Sequence, residues 1–507
     1  MSSTKPKTAT KSAKPSSAAL KARLQELSRV FISGLAGPLA RDVYAMRRTQ
    51  HLEVAEFPWV FHGLEREPGA EHDWILPGLR VFQEPSIQYL TGLNQVGVSL
   101  VLVPSRRASE RKAVLFLPLK DSAREFWDGV RLGLLDDDAA GAKQNLSELR
   151  EILGIQDIRH QGDLPAFLDE LAGKFGKLGV FHHRYPVAGG TDRTLKTDAT
   201  WTFAQNVAKL ARRRKAEVVS IAAEHFALRL PLDGWQLREA ERAQEWTRKA
   251  FVELLPQIPR LSHEHQIAGM LEGLMLFQSP WGLAFPTICA AGPNAATLHY
   301  MKNDDPLPKG GLVLLDFGCR SATMHADISR TVPVDGKFDP LQRMLYGIVL
   351  DVQRFSQSIL KPGITVRELN RLSWARMEEL LEERFLSRGG IMERPYVEGN
   401  LATLPNKAKA HPHQPHGISH LMGEQEHDGD PFRIYQDEPV KPGWMLSNEP
   451  GLYGRFRVKL GRKTYDQHLG IRIEDDLVVT PEGCINLSQD IPKDPDSLEM
   501  LLEGAHS

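Results

Sequence analysis

Cysteine, aromatic residues and net charge are all scarce in this chain of 507 residues: three cysteines, 7% aromatic residues and a formal net charge of −1. Cys289, Cys319 and Cys484 cannot all pair, and their spacing matches no zinc motif. A disulfide scaffold is excluded and a reducing compartment, the cytoplasm, is expected. The near-zero charge removes the electrostatic basis for binding nucleic acid or an acidic membrane. No apolar run approaches the roughly 20 residues that a spanning helix needs. The opening stretch, MSSTKPKTATKSAKPSSAALKAR, has no apolar segment of the secretory kind, and its first acidic residue is Glu26. Its composition predicts a disordered tail over 1–23. A mitochondrial transit peptide is the alternative, against which stand Lys in place of Arg and two prolines.

What is present is a 41% hydrophobic chain, long enough for a large core and two domains. Strand-like apolar runs lie within Arg80–Ser105, Lys112–Lys120 and Leu178–Arg184, separated by helical patterns at Asn145–Leu153 and Leu164–Phe175. That alternation predicts an N-terminal α/β domain with a mostly parallel or mixed sheet over 24–205. A boundary is expected within Asn206–Lys215, beside the basic stretch ARRRKAE. Helical periodicity then covers Ala216–Leu230, Gln236–Leu255 and Glu264–Phe277. A second domain is expected over 206–497, with a C-terminal tail over 498–507. Within it Ile258–Met275 resembles Lys361–Leu381: each has Pro, then Ser or Thr as N-cap, then a helix. That pattern hints at a duplicated unit, although any two capped helices look alike.

Chemistry concentrates in a few short strings. GGLVLLDFGCR is an apolar strand interrupted by Asp316, and MHADISRTVPV is a second one carrying Asp327, eleven positions on. Adjacent antiparallel strands would set these carboxylates side by side, where they repel unless a divalent cation lies between them. Taken singly, each Asp reads as a turn former at a strand end. Five histidines, His411, His413, His416, His420 and His427, crowd one segment, too densely for core imidazoles. Imidazole is the commonest nitrogen ligand for first-row metals, though a surface role is favoured for His411 and His413. Glu449 ends an apolar stretch before a Pro-Gly turn. In GIRIEDDLVVT, strand alternation puts Arg472 and Glu474 on one face. The plain reading of the run Glu474, Asp475, Asp476 is a solvated turn for one or two of the three. Two Asp, one His and two Glu in apolar settings need a balancing cation, which suggests a two-metal site in a hydrolase.

The order Asp, Asp, His, Glu, Glu within LLDFG, HADISRT, HGISH, NEPGLY and GIRIED resembles the pita-bread dinuclear metallopeptidases. That family contains aminopeptidase P, prolidase and methionine aminopeptidase. PTICAAGPNAATLHY, with His299, is similar to the same family. VFQEPSIQYLTGLN resembles the N-terminal domain of the aminopeptidase P and prolidase branch, which methionine aminopeptidases lack. The resemblance spans roughly 47–487. It implies an N-terminal mixed-sheet α/β domain followed by a C-terminal pita-bread domain of duplicated α+β units.

It further implies two divalent metal ions per chain, Mn²⁺ first, with Co²⁺, Fe²⁺ or Zn²⁺ as alternatives. The implied ligands are Asp316, Asp327, His420, Glu449 and Glu474. Glu449 is the implied general base, His427 the oxyanion stabiliser and His299 the orienter of the leaving group. His416, Arg472 and Tyr453 match positions near the substrate pocket. The expected activity is that of a metal-dependent Xaa-Pro aminopeptidase, acting on peptides with proline second. The alternatives are a dipeptide-restricted prolidase and, remotely, a non-catalytic peptide-binding pita-bread module. The resemblance also suggests a homodimer or homotetramer. One departure stands out: Glu424, Gln425 and Glu426 replace a Leu-Asp-Val type sequence, and they are expected at the rim of the substrate cleft.

Overall fold

The structure is a computed structural model, and it describes residues 38–65, 83–183, 199–393, 414–429 and 434–504. The N-terminal tail, the first residues of VFQEPSIQYLTGLN, His411 and His413 lie outside these residues.

Six strands build the first sheet: β1 (Trp59–His62), β2 (Ser99–Val103), β3 (Lys112–Leu117), β4 (Asp157–His160), β5 (Lys177–Val180) and β6 (Glu217–Ser220), in the order β4-β3-β2-β1-β5-β6. β1–β2 and β2–β3 are antiparallel, whereas β3–β4, β1–β5 and β5–β6 are parallel, so the sheet is mixed. Alternate side chains serve opposite faces. Val60, Val101 and Val114 pack with Leu168 and Leu171 of the helix Leu164–Phe175 and with Val207 and Ala211 of the helix Ala199–Arg212. Trp59, Phe61 and Leu100 face a core that continues into the second half, through Phe226 and Phe251.

The domain limits differ from expectation in two places. Residues 217–220, expected as helix, are the last strand of this sheet, and the helix starts at Ala222. The expected boundary at 205–206 therefore falls inside a helix of the first domain. β-branched Val218 and Val219 favour a strand over the helical periodicity of the wider window. At the other end, Pro495–Leu502 is a helix that buries Leu498 and Leu502, so the expected tail from 498 begins inside the fold.

The second half carries two helix pairs, Gly234–Leu254 with Glu264–Gln278 and Pro340–Ile359 with Val366–Arg384. Asp233 and Asp339 form capping boxes at the first helix of each pair. Thr365 Oγ1 accepts from Glu368 N, as its spacing predicts. The matching cap of the earlier helix is His263 rather than Ser262.

Three small sheets fill the interior. β7 (Ile288–Ala291), β8 (Leu312–Phe317) and β11 (Ile328–Pro333) form one, with a short hairpin of β9 (Arg320–Ser321) and β10 (Met324–His325) between β8 and β11. β12 (Ile391–Glu393), β15 (Gly451–Leu460) and β16 (Lys463–Arg472) form the second. β13 (Leu421–Met422), β14 (Met445–Asn448), β17 (Asp475–Val479) and β18 (Cys484–Asn486) form the third. β11 touches both β16 and β17, which brings the three sheets to a common meeting point.

Candidate metal centre

That meeting point collects the acidic residues. Asp316 lies near the end of β8, opposite Ser329 on β11, and Asp327 immediately precedes β11. Gly318 permits the tight return between them, because a Cβ there would stand 1.7 Å from Ala326 O. Asp316, Asp327 and Glu474 present carboxylate oxygens within 4.8 Å of one another, as do the ligand atoms of His420, Glu449 and Glu474. His420 Nε2 is 3.5 Å from Asp327 Oδ2, 3.7 Å from Glu449 Oε1 and 4.0 Å from Glu474 Oε1. All five expected ligands therefore converge.

Four of these candidate ligands, His420, Glu449, Glu474 and Asp327, are steadied by groups behind them. Ser447 Oγ accepts from His420 N at 3.0 Å and approaches Glu449 Oε1 at 3.3 Å. Ser329 Oγ accepts from Arg472 Nε at 2.7 Å and donates to Glu474 Oε2 at 2.8 Å. Asp327 N donates to Asp476 Oδ2 at 3.0 Å, and Gln244 donates to that same oxygen. Ligand carboxylates and imidazoles depend on such outer contacts for their orientation.

The electrostatics show a demand for positive charge. Burial, and then the neighbouring carboxylates, push Glu474 well above the usual range. Burial pushes Asp316 up to about 6, with Arg472 pulling the other way and Asp327 adding to the rise. Burial lowers His420, but the Asp327 bond and the Glu449 charge outweigh it and raise the imidazole to about 9. Without metal, protons take the place of cations. Asp316 Oδ1 is buried and has no hydrogen-bond partner. That open acceptor, together with the repelling carboxylates, fits divalent metal ions.

The other expected site residues divide into three groups. His427 stacks on His420 with ring centroids 4.0 Å apart and remains 58% exposed. It joins Asp327 and His420 in a third group of ligand atoms within 4.8 Å. His299 is exposed and lies within electrostatic range of His416. Tyr453 and Arg472 do not line an open pocket. Both are buried, the Tyr453 hydroxyl bonding His416 Nε2 at 2.9 Å and Arg472 Nη1 at 3.3 Å. Arg472 is directed at Asp316 and Tyr453 at His416.

Two readings of the acidic strings change. Glu474, Asp475 and Asp476 are all buried, with no solvated turn among them. Asp475 pairs with Arg330 at 2.8 Å and with Lys493, and Asp476 bonds Gln244 and Asp327. Burial of three successive carboxylates is possible because partners distant in sequence meet each one. Strand β16 also ends at Arg472, so Arg472 and Glu474 meet at Ser329 across a break rather than along one strand. Glu424 is not at a cleft rim. It is buried and accepts from Gln236 Nε2 at 2.8 Å. Glu426 is half-buried, and burial and Asp327 push it up to about 8.

Sequence comparison agrees with this geometry. Residues 238–481 match the model of metallopeptidase family M24, and residues 81–178 match the aminopeptidase P N-terminal domain. The chain is 28% identical over 425 residues to Xaa-Pro aminopeptidase 3 of Homo sapiens, covering 83% of this chain and 77% of that one. It is 27% identical to Xaa-Pro aminopeptidase of Escherichia coli strain K12, covering 83% and 89%. The structure of E. coli aminopeptidase P with the inhibitor Pro-Leu superposes with a TM-score of 0.72 at 25% identity, covering 92% of this chain and 98% of that one. From both halves of the fold and from the centre between the sheets, the chain belongs to the aminopeptidase P branch of metallopeptidase family M24 and is a metallo-aminopeptidase of the Xaa-Pro aminopeptidase type.

Proposed function

We propose that this aminopeptidase removes the first residue of peptides with proline second, using the converged carboxylates and imidazoles as a two-metal centre. Convergence of all five candidate ligands on one point carries the reading. Asp316, Asp327 and Glu474 would hold one ion; Asp327, His420, Glu449 and Glu474 would hold the other. The oxygen-rich donor set with a single imidazole favours Mn²⁺. When bound, the two ions supply an activated water and Lewis-acid polarisation of the scissile carbonyl.

The chain's own residues do the rest. Glu449, partly exposed and steadied by Ser447, takes the water's proton. His427 faces the open side and donates to the oxygen on which negative charge develops. His299 orients the leaving proline. A bond to proline has no N–H to grip, so recognition rests on the ring and on the free amine. A prolidase reading differs only in closing the far end of the cleft around a free carboxylate.

A homodimer or homotetramer is the proposed assembly. The exposed Phe126, Trp127 and Phe277 support it, and light scattering tests it. The cytoplasm is the proposed location, and the free thiols of Cys289, Cys319 and Cys484 are compatible with a reducing compartment. Among the described residues, no helix is long and apolar enough to cross a membrane.

The reading is tested by Asp327→Asn and Glu474→Gln. Both should abolish metal-dependent turnover while leaving the circular dichroism spectrum unchanged. Near-normal turnover with stoichiometric metal in either variant contradicts the ligand assignment.

A further inference from the structure

We propose that Arg229 and Asp428 are positioning residues for His427, together pinning the loop that carries it to the N-terminal half of the molecule. The proposal rests on the role assigned above to His427. Its imidazole stacks on His420 and lies 3.5 Å from Glu426 Oε1, while the side chain is 58% exposed. The loop backbone beneath it is fixed by the next residue. Asp428 Oδ2 accepts from Glu424 N at 3.0 Å, and Oδ1 accepts from Gly429 N at 2.7 Å. Asp428 N donates to Leu421 O at 2.9 Å, and Gly423 N donates to Gln425 O at 3.0 Å. Gly423 makes room for this arrangement, because a Cβ there would stand 2.5 Å from Asp428 Oδ2. The carboxylate sits inside the loop and closes it.

Arg229 reaches that carboxylate from the last turn of the helix Ala222–Arg229, and the paired side chains are 0% and 1% exposed. Arg229 Nη1 also lies 3.3 Å from Ser86 Oγ, whose hydroxyl donates to Glu84 Oε1 at 3.1 Å. Glu84 and Ser86 open the helix Pro85–Thr91 of the N-terminal half. A continuous path of polar contacts therefore runs from that half to the residue beside His427. Stability alone is a poor explanation for such a pair. Apolar residues of similar volume often replace a buried ion pair without loss, whereas a guanidinium that bonds Asp428 through Nη2 and Ser86 through Nη1 fixes direction as well as distance.

The experiment is steady-state cleavage of an Ala-Pro-Ala tripeptide by full-length, metal-loaded protein. The variants are Asp428→Asn, Arg229→Lys, the apolar double change Arg229→Met with Asp428→Leu, and His427→Ala. Asp428→Asn should lower kcat about tenfold with KM within about twofold and metal content unchanged, and Arg229→Lys should fall between it and wild type. If Asp428→Asn does not fold, the apolar double variant carries the test. Although Glu424 N and Gly429 N lose their acceptor, it should keep a wild-type circular dichroism spectrum and metal content and still show the kcat deficit with KM within about twofold, a split that a general loss of structure does not produce. Adding His427→Ala to it should cost little more, because residues acting as one unit are non-additive. A folded double variant with wild-type kcat overturns the proposal, as does a deficit that adds in full to that of His427→Ala. If His427→Ala alone leaves kcat unchanged, the role of His427 fails, and the positioning role fails with it.

Discussion

Arg472 donates from Nη2 to Asp316 Oδ2 at 2.6 Å, with both side chains nearly sealed from water. The same guanidinium reaches Ser329 Oγ through Nε and the Tyr453 hydroxyl through Nη1, so one planar fork sets three neighbours of the metal centre at once. It engages one oxygen of Asp316 and leaves the other open. Lys has a single nitrogen and cannot reproduce that fork. Arg472→Lys should lower kcat/KM by about tenfold, the usual scale for losing a positioned, charge-assisted hydrogen bond. Metal analysis and tripeptide kinetics on the same preparation check this. Unchanged kcat/KM would mean that the fork merely fills space.

Metal loading should release protons. Burial first, and like charge second, raise Glu474 well above the carboxylate range, and burial raises Asp316 to about 6. Both folded values lie above the unfolded ones. These groups therefore favour the folded metal-free state fully only below the unfolded pKa of about 4, and that contribution is lost as pH rises through the folded values. At pH 6 the metal-free centre therefore retains protons, on His420 and in part on Asp316, which incoming cations displace. Calorimetry of metal binding in two buffers of different ionisation enthalpy should give different heats. Equal heats would contradict a protonated centre.

Asp475 stands behind the centre with a different task. Its carboxylate takes the fully buried Arg330 at 2.8 Å and the half-buried Lys493 and Asn486. Arg330 in turn donates to the Glu474 carbonyl at 2.6 Å. Asp475→Asn strands a buried guanidinium and should destabilise the fold by about 3–5 kcal/mol, measured by urea unfolding at pH 7. A loss under about 1 kcal/mol would show that the cluster relaxes or admits water.

A second buried pair makes the fold acid-sensitive. His51 Nε2 and His225 Nδ1 are 2.9 Å apart at the junction of the two halves. Burial, with Arg229 and Arg47 opposing a second charge, lowers His51 to about 4, and burial holds His225 well below the usual value. With folded values depressed, their stabilisation is complete above the unfolded pKa of about 6.5 and disappears as pH falls toward the folded ones. From pH 7 to pH 5, His51 alone should remove about 2 kcal/mol. His51→Gln should flatten that slope in urea titrations, and an unchanged slope would place the acid sensitivity elsewhere.

The candidate metal ligands were legible in the sequence because each is an isolated polar residue in an apolar string, and because their order is distinctive. Asp316 in LLDFG and Glu474 in GIRIED are cases of this. What serves them was not legible. Asp476 looks like part of an exposed acidic run, since its partner Gln244 lies 232 positions away. Arg229 and Asp428 are 199 positions apart, and neither local pattern hints at the other. Helical periodicity carried through Val218 and Val219 hid β6, whose strand character comes from pairing with β5. Glu424 reads as a surface acid until Gln236 is brought beside it.

The most direct test uses metal-stripped protein, with and without added Mn²⁺, on matched Xaa-Pro and Xaa-Pro-Xaa peptides. An aminopeptidase built on this centre should cleave the tripeptide only when metal is restored, releasing the first residue. Cleavage of the dipeptide alone would make the protein a prolidase. No cleavage of either peptide, with two equivalents of metal bound, would contradict the account at its centre.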